Sequence, residues 1–428
     1  MVELTVGSRV LRILSTRHAR IVAAAILLVV GGFFIPQAHR RMTRSRGNDL
    51  TVYLASGQAL MHGDNPYAIP LPQGHAPYPL TVDALLIPLT WVPTGLAQAV
   101  WFATNAGALL ASLLLLEHMW GHASGSVSLA STVPLVVRIA LVVVAFLVPF
   151  QSHFTLGQMD LVVLGLCCLF FRAHLAGRYA AASMWLGAAI AMKLTPLAFV
   201  VGVARRRQYR TLALTAGWAV LWAIGLPALV SDRVLALYGD AWMRVLRSRV
   251  EIPVSLWESR FTLAGALAYV WPRSATVPGL RYWAAAAVLA PIAVAEGRVG
   301  SASRGRLMVF AATLVAIPLI SPISETHHLA ILAGALWLWM LAAGSPPFMP
   351  ALDLGGAVLF LAAHWVGLGL AGPGASRRVS LFDFLALLIL YLVLLRRSLG
   401  FAQEPSFHAF ARPAARSTGS PDRGAACR

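Results

Sequence analysis

The chain has 428 residues, of which 58% are hydrophobic and only 12% are charged. Its many long apolar runs exclude a soluble globular protein and predict a polytopic helical membrane protein, because backbone groups in hydrocarbon must satisfy their own hydrogen bonds. The formal charge of +18 would suggest nucleic-acid binding in a soluble protein. Here the arginines lie in short loops between apolar runs, which is typical of cytoplasmic loops, so no nucleic-acid partner is expected.

Apolar segments follow one another along the chain and predict an all-α, polytopic fold. Several are shorter than the roughly 20 residues that cross a bilayer, so we expect them to tilt, to recruit flanking residues or to thin the membrane. The first is preceded by arginines and lacks a cleavage site, which is typical of an uncleaved signal anchor. The predicted segments are 21–36, 94–117, 134–150, 159–175, 179–204, 211–230, 282–296, 307–320, 329–343, 354–371 and 381–396.

One polytopic domain is predicted over residues 1–400, followed by a tail, 401–428, that is rich in alanine, arginine, serine and proline and is expected to be disordered. The arginine-containing loops favour cytoplasmic N- and C-termini. This topology requires residues 179–204 to enter and leave the membrane on one side, as two half-helices broken near Lys193 and Pro196.

Four polar loops then fall together on the outer face, and we expect them to form the walls of one cavity. The third of these loops, 231–281, is rich in arginine although it is predicted to lie outside, which is an exception to the excess of arginine in cytoplasmic loops. Either it binds anionic lipid or a sugar-lipid phosphate, or the topology of the middle third is wrong. The loops are 37–80, 151–158, 231–281 and 321–328.

The first outer loop contains the sequence NDLTVYLASGQALMHGDNPY. Asn48 or Asp49 could cap a short helix that runs to about Leu60 and ends at Gly63, with Tyr53 near its apolar face. A carboxylate at a helix N-terminus is held ionised by the helix dipole, as a general base for a sugar hydroxyl must be. Asp49 is therefore either a catalytic base or merely the cap.

Other polar residues beside or inside apolar segments are candidates with a local alternative. Lys193, the only lysine in the chain, binds a lipid-linked phosphate or snorkels to an interface. Tyr78 stacks on a sugar or anchors at the interface. Gln158 and Asp160 face the cavity or cap a helix.

Two adjacent histidines, His327 and His328, follow Glu325 at the outer end of an apolar segment. They could donate to a phosphate, steer a leaving group or cap a helix. No His-x3-His pair accompanies them, so no metal ligand and no cofactor are expected, although a divalent ion is not excluded.

Five motifs occur in a set order: NDLTVYLASGQALMHGDNPY, APYP, GQMDLVVLGLCCLFF, GAAIAMKLTPLAFVVGVARRRQYR and LISPISETHH. Together they cover most of the chain and resemble glycosyltransferase family 87, the bacterial polyprenol-phosphate-mannose-dependent mannosyltransferases. The resemblance implies a GT-C fold with about 11–12 transmembrane helices, in which outer loops and short membrane-parallel helices enclose the site.

The resemblance also implies roles for individual residues. Asp49 is the expected catalytic base, and Lys193, His327 and His328 are expected to surround the donor phosphate. The chain departs from the family pattern at Tyr78-Pro79-Leu80, Asp160, Glu325 and near Glu258, and these positions are expected to shape the choice of sugar and acceptor. The expected substrate-binding residues are Tyr53, Tyr78, Gln158, Asp160, Glu258 and Glu325.

The sequence thus predicts an inverting glycosyltransferase of the plasma or inner membrane with its site facing outward. It would move a sugar, expected to be mannose, from a polyprenyl-phosphate donor to a lipid- or glycan-linked acceptor. A lipid-linked sugar transporter or flippase is a second hypothesis, because broken helices and buried charge also build transport pathways. A non-catalytic membrane scaffold of envelope biosynthesis is a third.

Overall fold

The computed structural model describes residues 15–44, 48–69, 78–124, 133–237, 242–244, 247, 261–277, 279–321, 324–343 and 376–402. Every regular element in these ranges is a helix, which confirms the all-α class. The helices used below are α1 (Arg17–Arg44), α2 (Asp49–His62), α3 (Thr81–Leu86), α4 (Thr94–Ser124), α5 (Leu135–Ala145), α6 (Leu147–Leu156), α7 (Asp160–Leu175), α8 (Tyr179–Met192), α9 (Ala198–Arg205), α10 (Tyr209–Val220), α11 (Leu263–Val270), α12 (Leu280–Val299), α13 (Ser303–Ile320), α14 (Ala333–Ala342) and α15 (Ser376–Phe401).

Within the described ranges, five helices are long and apolar enough to cross a membrane, and the chain is a multi-pass membrane protein. The pair formed by α5 and α6 is bent by 73° and would count as a sixth crossing. Other apolar helices, such as α8, are shorter than a bilayer, so the expectation of about 11–12 crossings stays a prediction. The five spans are Arg17–Gln37, Thr94–Ser124, Tyr209–Ala228, Ser303–Ile320 and Phe384–Phe401.

Two of the predicted loops contain regular helix. Helix α1 runs through Pro36 to Arg44, whereas its candidate membrane span ends at Gln37, so the helix continues into the predicted first outer loop. Proline is tolerated inside a membrane helix when neighbouring groups satisfy the freed carbonyl. Helix α6 covers most of 151–158. It ends at Gly157, whose backbone is in the left-handed region at φ 71°.

The other two predicted loops also contain short helices, and the start of the predicted tail needs correction. The range 231–281 contains α11 and the 3₁₀ turn Pro272–Thr276, and 321–328 overlaps the 3₁₀ helix Thr326–Leu332. Phe401 ends α15 and is fully buried, so the tail does not begin at 401. The predicted segment 354–371, the remainder of the tail from 403 and the candidate Glu258 lie outside the described residues.

The half-helix break predicted at Lys193 is present. Helix α8 ends there in extended backbone, and a 3₁₀ turn containing Pro196 leads into α9. Helix α8 packs along α10 in the same direction: Ser183 Oγ donates to the Thr211 carbonyl over 3.1 Å, and one turn later Gly187 lies against Thr215 and Trp218. Because these parallel helices start on the same side, α9 must return the chain to that side, as predicted.

Helix α13 lies at the centre of the protein, where its residues are buried on all faces from Leu307 to Leu319. A helix that is apolar all round belongs in a protein interior, and α13 packs against α12, α14 and α15. Helix α7 packs between α4 and α8, with the 3₁₀ helix Thr326–Leu332 beside it. This arrangement brings the start of α7, the end of α8 and the two histidines together.

Candidate functional site

The first outer helix, α2, begins as the sequence predicts, and the structure decides which residue caps it. The Asn48 side chain accepts a hydrogen bond from the Thr51 amide over 2.8 Å, and Gly63 ends the helix in the left-handed conformation. Asp49 is the first helical residue, so the interpretation of Asp49 as the cap is wrong. Its carboxylate instead accepts a hydrogen bond from the Gln158 side chain, 109 residues along the chain.

A direct backbone contact brings Gln158 to Asp49. Gly157 lies against the first turn of α2, where an added Cβ would stand 2.7 Å from Leu50 Cβ. Its carbonyl accepts a hydrogen bond from Trp101 Nε1 over 2.8 Å. Gly157 also has positive φ, so both its conformation and its close approach require glycine. The turn between α6 and α7 is therefore shaped to present Gln158 to α2.

Lys193 forms a buried ion pair with Asp160. Lys193 Nζ lies 2.6 Å from Asp160 Oδ1, and the two residues are 5% and 3% exposed. The interpretation of Lys193 as a snorkelling residue is therefore wrong, because its ammonium group points into the protein. Removing either partner of such a pair would destabilise the fold, since a lone buried charge costs several kcal/mol.

Two tyrosines line the same region. Lys193 Nζ lies 5.7 Å from the ring centre of Tyr78, within cation–π range, and the Tyr78 ring meets Tyr53 edge-on at 5.8 Å. Gln158 is a hydrogen-bonding neighbour of Tyr78 as well as of Asp49. Tyr78 is half-buried, and its ring packs against Tyr53 and Lys193, so it lies beside the candidate site.

The two histidines are buried, and their hydrogen bonds fix their neutral tautomers. The Glu325 amide donates to His328 Nδ1 over 2.9 Å, so the ring proton of neutral His328 lies on Nε2. That proton is donated to His327 Nε2 over 3.1 Å, which leaves the His327 proton on Nδ1, 3.6 Å from the Glu325 carboxylate. His328 thus caps the 3₁₀ helix Thr326–Leu332, as one alternative proposed, and it also orients His327.

Asp160, His327 and His328 could hold a metal ion by distance alone, because one ligand atom of each lies within 4.8 Å of the others. Their chemistry does not fit. Asp160 is neutralised by Lys193, and both ring nitrogens of His328 are already engaged. A metal would have to displace the Lys193 ammonium group from Asp160. If it bound His328 through Nε2, the ring proton would move to Nδ1 and face the amide proton of Glu325.

The electrostatics of Asp49 differ from the expectation. Burial raises the pKa of its carboxyl from 3.8 to about 7; the Lys193 charge opposes this, while Glu325 and Asp160 add to it. The expectation that the helix dipole keeps Asp49 fully ionised is wrong, because desolvation outweighs the dipole here. A carboxyl with this pKa can both take up and release a proton near neutral pH.

The sequence-based candidates missed a second polar layer behind Asp160. His153 is fully buried; its Nε2 donates to Asn105 Oδ1 over 3.0 Å, and its Nδ1 lies 3.9 Å from Asp160 Oδ2. The available signal was a polar residue inside an apolar segment, which applies to Asn105 in α4 and to His153 in α6. The structure thus brings together all the candidates except Glu258, and adds His153 and Asn105.

Comparison with known proteins identifies the chain. The model of glycosyltransferase family 87 matches residues 77–322, a range that includes Tyr78, Gln158, Asp160 and Lys193 and excludes Asp49, Glu325 and both histidines.

The chain is also similar to two mycobacterial proteins, both named polyprenol-phosphate-mannose-dependent α-(1-2)-phosphatidylinositol mannoside mannosyltransferase. The Mycolicibacterium smegmatis protein is 29% identical over 68% of each chain. The Mycobacterium tuberculosis protein is 27% identical over 68% of this chain and 64% of its own length. The chain is therefore a glycosyltransferase, and it belongs to glycosyltransferase family 87.

Proposed function

We propose that the protein is a mannosyltransferase that uses a polyprenyl-phosphate-linked mannose donor, with Asp49 as its general base. The observation that carries the proposal is the half-buried Asp49 carboxylate, which is held by Gln158 beside the Lys193–Asp160 pair. The names of the two relatives support the sugar and the type of donor. The acceptor is proposed to be a glycolipid or a lipid-linked glycan, since both relatives act on a phosphatidylinositol mannoside.

The donor phosphate is proposed to meet Lys193, His327 and His328. Lys193 already pairs with Asp160, so its ammonium group would be shared between carboxylate and phosphate rather than released to the ligand. His327 Nδ1 lies 3.6 Å from the Glu325 carboxylate, and a phosphate could accept a hydrogen bond from it. Tyr53, Tyr78, Gln158 and Asp160 surround this point and are proposed to bind the substrates. Glu325 and Glu258 are proposed to take part in the same binding.

The proposed reaction is a single inverting displacement. The acceptor oxygen attacks the anomeric carbon and forms the new glycosidic bond while the bond from that carbon to the phosphate oxygen breaks. The acceptor proton passes to Asp49, and the electron pair leaves with the polyprenyl phosphate. The leaving phosphate is already ionised, so no acid catalyst is needed, and positioning and charge stabilisation account for the rate.

The site is proposed to face outward, with both termini cytoplasmic. In support, Asp160 begins α7 and His174 lies near its other end, where Arg206 and Arg306 are its electrostatic neighbours. Fourteen residues of helix separate the two ends by about 21 Å. Arginine-rich junctions therefore gather opposite Asp49, as the distribution of positive charge predicts for a cytoplasmic face.

Transfer by the purified protein in lipid nanodiscs tests the proposal. The protein is incubated with radiolabelled polyprenyl-phosphate-mannose and a glycolipid extract, and the product is isolated for assignment of its anomeric configuration. We expect a new glycoside with inverted configuration, and no product from Asp49→Asn. The matched control is Asp64→Asn, an exposed acid just after the same helix, which should retain activity.

Other outcomes separate the alternatives. Movement of the labelled lipid across the bilayer without a new glycoside would favour a transporter. Neither movement nor transfer would favour a scaffold. Full activity of Asp49→Asn would remove Asp49 as the base.

A further inference from the structure

The chain just after α2 contains a turn that the proposed reaction does not use. Residues 64–67 have the sequence DNPY. Asn65 Oδ1 accepts a hydrogen bond from the Tyr67 amide over 3.0 Å, and Pro66 begins the 3₁₀ turn Pro66–Ala68. The asparagine closes a local side-chain bond and the proline fixes φ, so both restrict the backbone here. The direction in which the Tyr67 side chain leaves the backbone is therefore set by its neighbours.

Tyr67 is held by its ring as well as by its backbone. The side chain is buried in an apolar cluster that is separate from the main core and joins α2, α3 and residues 234–237. A ring already held by packing loses little further conformational entropy when its hydroxyl makes a directed hydrogen bond. The other buried members of the cluster are Leu60, Leu80, Ala84, Val234 and Leu237.

The Tyr67 hydroxyl donates to the backbone carbonyl of Tyr78 over 3.0 Å, 11 residues along the chain. Pro79 has no amide hydrogen, so this carbonyl is the only hydrogen-bonding group of the peptide bond between Tyr78 and Pro79. A residue before proline is also restricted to extended backbone. The Tyr67 bond therefore fixes the orientation of this peptide plane, and Leu80, which packs in the same cluster as Tyr67, fixes the chain two residues further on.

This bond matters because of what the Tyr78 side chain contacts. Its ring meets Tyr53 edge-on at 5.8 Å and lies 5.7 Å from Lys193 Nζ. Gln158, which holds Asp49, is its hydrogen-bonding neighbour. The distance to Lys193 is already near the limit of about 6 Å for a cation–π contact, so even a small shift of the ring would weaken it.

We propose that Tyr67 is a positioning residue for the transfer reaction, because its hydroxyl holds the Tyr78 ring in place against Lys193 and beside Gln158. The inference rests on the proposed function, in which Tyr78 and Lys193 contact the substrates. Tyr67 acts through Tyr78 and not on the reacting atoms. Its loss should therefore weaken donor binding and leave the chemical step almost unchanged.

Steady-state transfer kinetics in lipid nanodiscs test this role. Tyr67→Phe removes the hydroxyl and keeps the buried ring. We expect the donor KM to rise at least about fivefold, the lower end of the effect of leaving a buried carbonyl unpaired, while kcat stays within about twofold. In the Tyr78→Ala background, Tyr67→Phe should have no further effect on KM, because the ring that it positions is gone. An unchanged KM in Tyr67→Phe, or an equal rise in both backgrounds, would overturn the inference.

Tyr391→Phe is the matched control. Tyr391 is a buried tyrosine whose hydroxyl donates to the Val288 backbone carbonyl, between α15 and α12. Neither helix contains a candidate site residue, so this variant loses the same kind of bond away from the site. It should unfold at a lower temperature without a rise in the donor KM. A rise equal to that of Tyr67→Phe would show an effect through stability alone and refute a specific role for Tyr67.

A measurement that needs no turnover separates this inference from the proposed function. A fluorinated tyrosine replaces Tyr78, and its fluorine resonance is compared with and without Tyr67→Phe. We expect one resonance that shifts or splits when the hydroxyl is removed, and an unchanged resonance would overturn the positioning role even in an active enzyme. If the wild-type protein makes no mannoside, the proposed function fails, and the fluorine comparison still decides whether Tyr67 positions Tyr78.

Discussion

The two ends of α7 each hold a buried ion pair, but the charge left over has opposite sign. At the Asp160 end, Lys193 pairs with Asp160 at 2.6 Å, and Asp49 adds a second carboxyl that forms no ion pair with any described residue. At the His174 end, Glu296 pairs with Arg206 at 2.6 Å, and Arg306 adds a second guanidinium.

The difference indicates what each end can bind. A buried ion pair is weak evidence for stability and says little about a ligand, because its two charges satisfy each other. The remaining group carries the chemistry. At the first end an extra acid can take a proton from a hydroxyl, whereas at the second end the extra group is a cation, which cannot.

The largest expected effect distinguishes the two ends. Asp49→Asn should lower transfer by about 10²–10⁴-fold, the usual contribution of a general base. Arg306→Gln, at the other end of α7, should keep most of the transfer rate. Transfer rates under single-turnover conditions are measured on both variants, and an equal loss in Arg306→Gln would mean that the ends are coupled.

Breaking the ion pairs should destabilise the protein unequally. Asp160→Ala leaves Lys193 buried without its partner and should cost about 3–5 kcal/mol. Glu296→Ala should cost less, because the Arg206 side chain is 17% exposed and can reach water, whereas that of Lys193 is 6% exposed. Thermal unfolding in one detergent measures both, and equal losses would contradict the difference in burial.

The contact between Gly157 and Leu50 should be worth about 1–3 kcal/mol of stability. Gly157→Ala forces a Cβ against Leu50, and we expect it to lower both the stability and the transfer rate by moving Gln158 away from Asp49. Gly177→Ala is the control, because Gly177 has a similar φ of 69° but open space around it. A milder effect at Gly177 isolates the contact from the backbone strain that both variants share.

The transfer rate should depend on pH through Asp49. Because the pKa of Asp49 is raised to about 7 and the base must be ionised, the rate should fall about tenfold per pH unit below 7 and level off above it. A rate profile between pH 5 and 9 checks this, with the thermal unfolding temperature at each pH as a control for folding. A limb near pH 4 would mean that Asp49 is solvated in the working enzyme.

A further expected effect is on stability. Asp49 has a higher pKa in the folded protein than the ordinary carboxyl value of 3.8, so the folded state holds more protons between about pH 4 and 7 and loses stability as pH rises through that window. Asp49→Asn should remove this loss and unfold at a higher temperature at pH 8. A lower unfolding temperature would show that the carboxylate stabilises the fold.

The features that follow local backbone rules were predictable from the sequence. Asn48 and Gly63 bound α2, and the helix breaks at Lys193, because capping, left-handed glycine and proline act within a few residues. The all-α membrane class follows from the composition in the same way.

The contacts of the site were not predictable in this way. Asp49 meets Gln158 across 109 residues, and Lys193 meets Asp160 across 33, through helix packing that no local pattern encodes. The direction of the Asp49 pKa shift depends on burial by these distant elements. The helix dipole alone predicts a lowered pKa, which is the wrong direction. His153 and Asn105 carried only the weak signal of a polar residue in an apolar run.

The separation of Asp49 from Gln158 has a consequence for how the protein is made. The ribosome delivers Asp49 to the membrane long before Gln158, and Glu325 and the histidines emerge later still. On the nascent chain the carboxyl therefore stays hydrated and behaves as an ordinary acid. Its raised pKa arises only when the elements that bury it have packed around it, so a truncated translation product that lacks them would carry the acid without its reactivity.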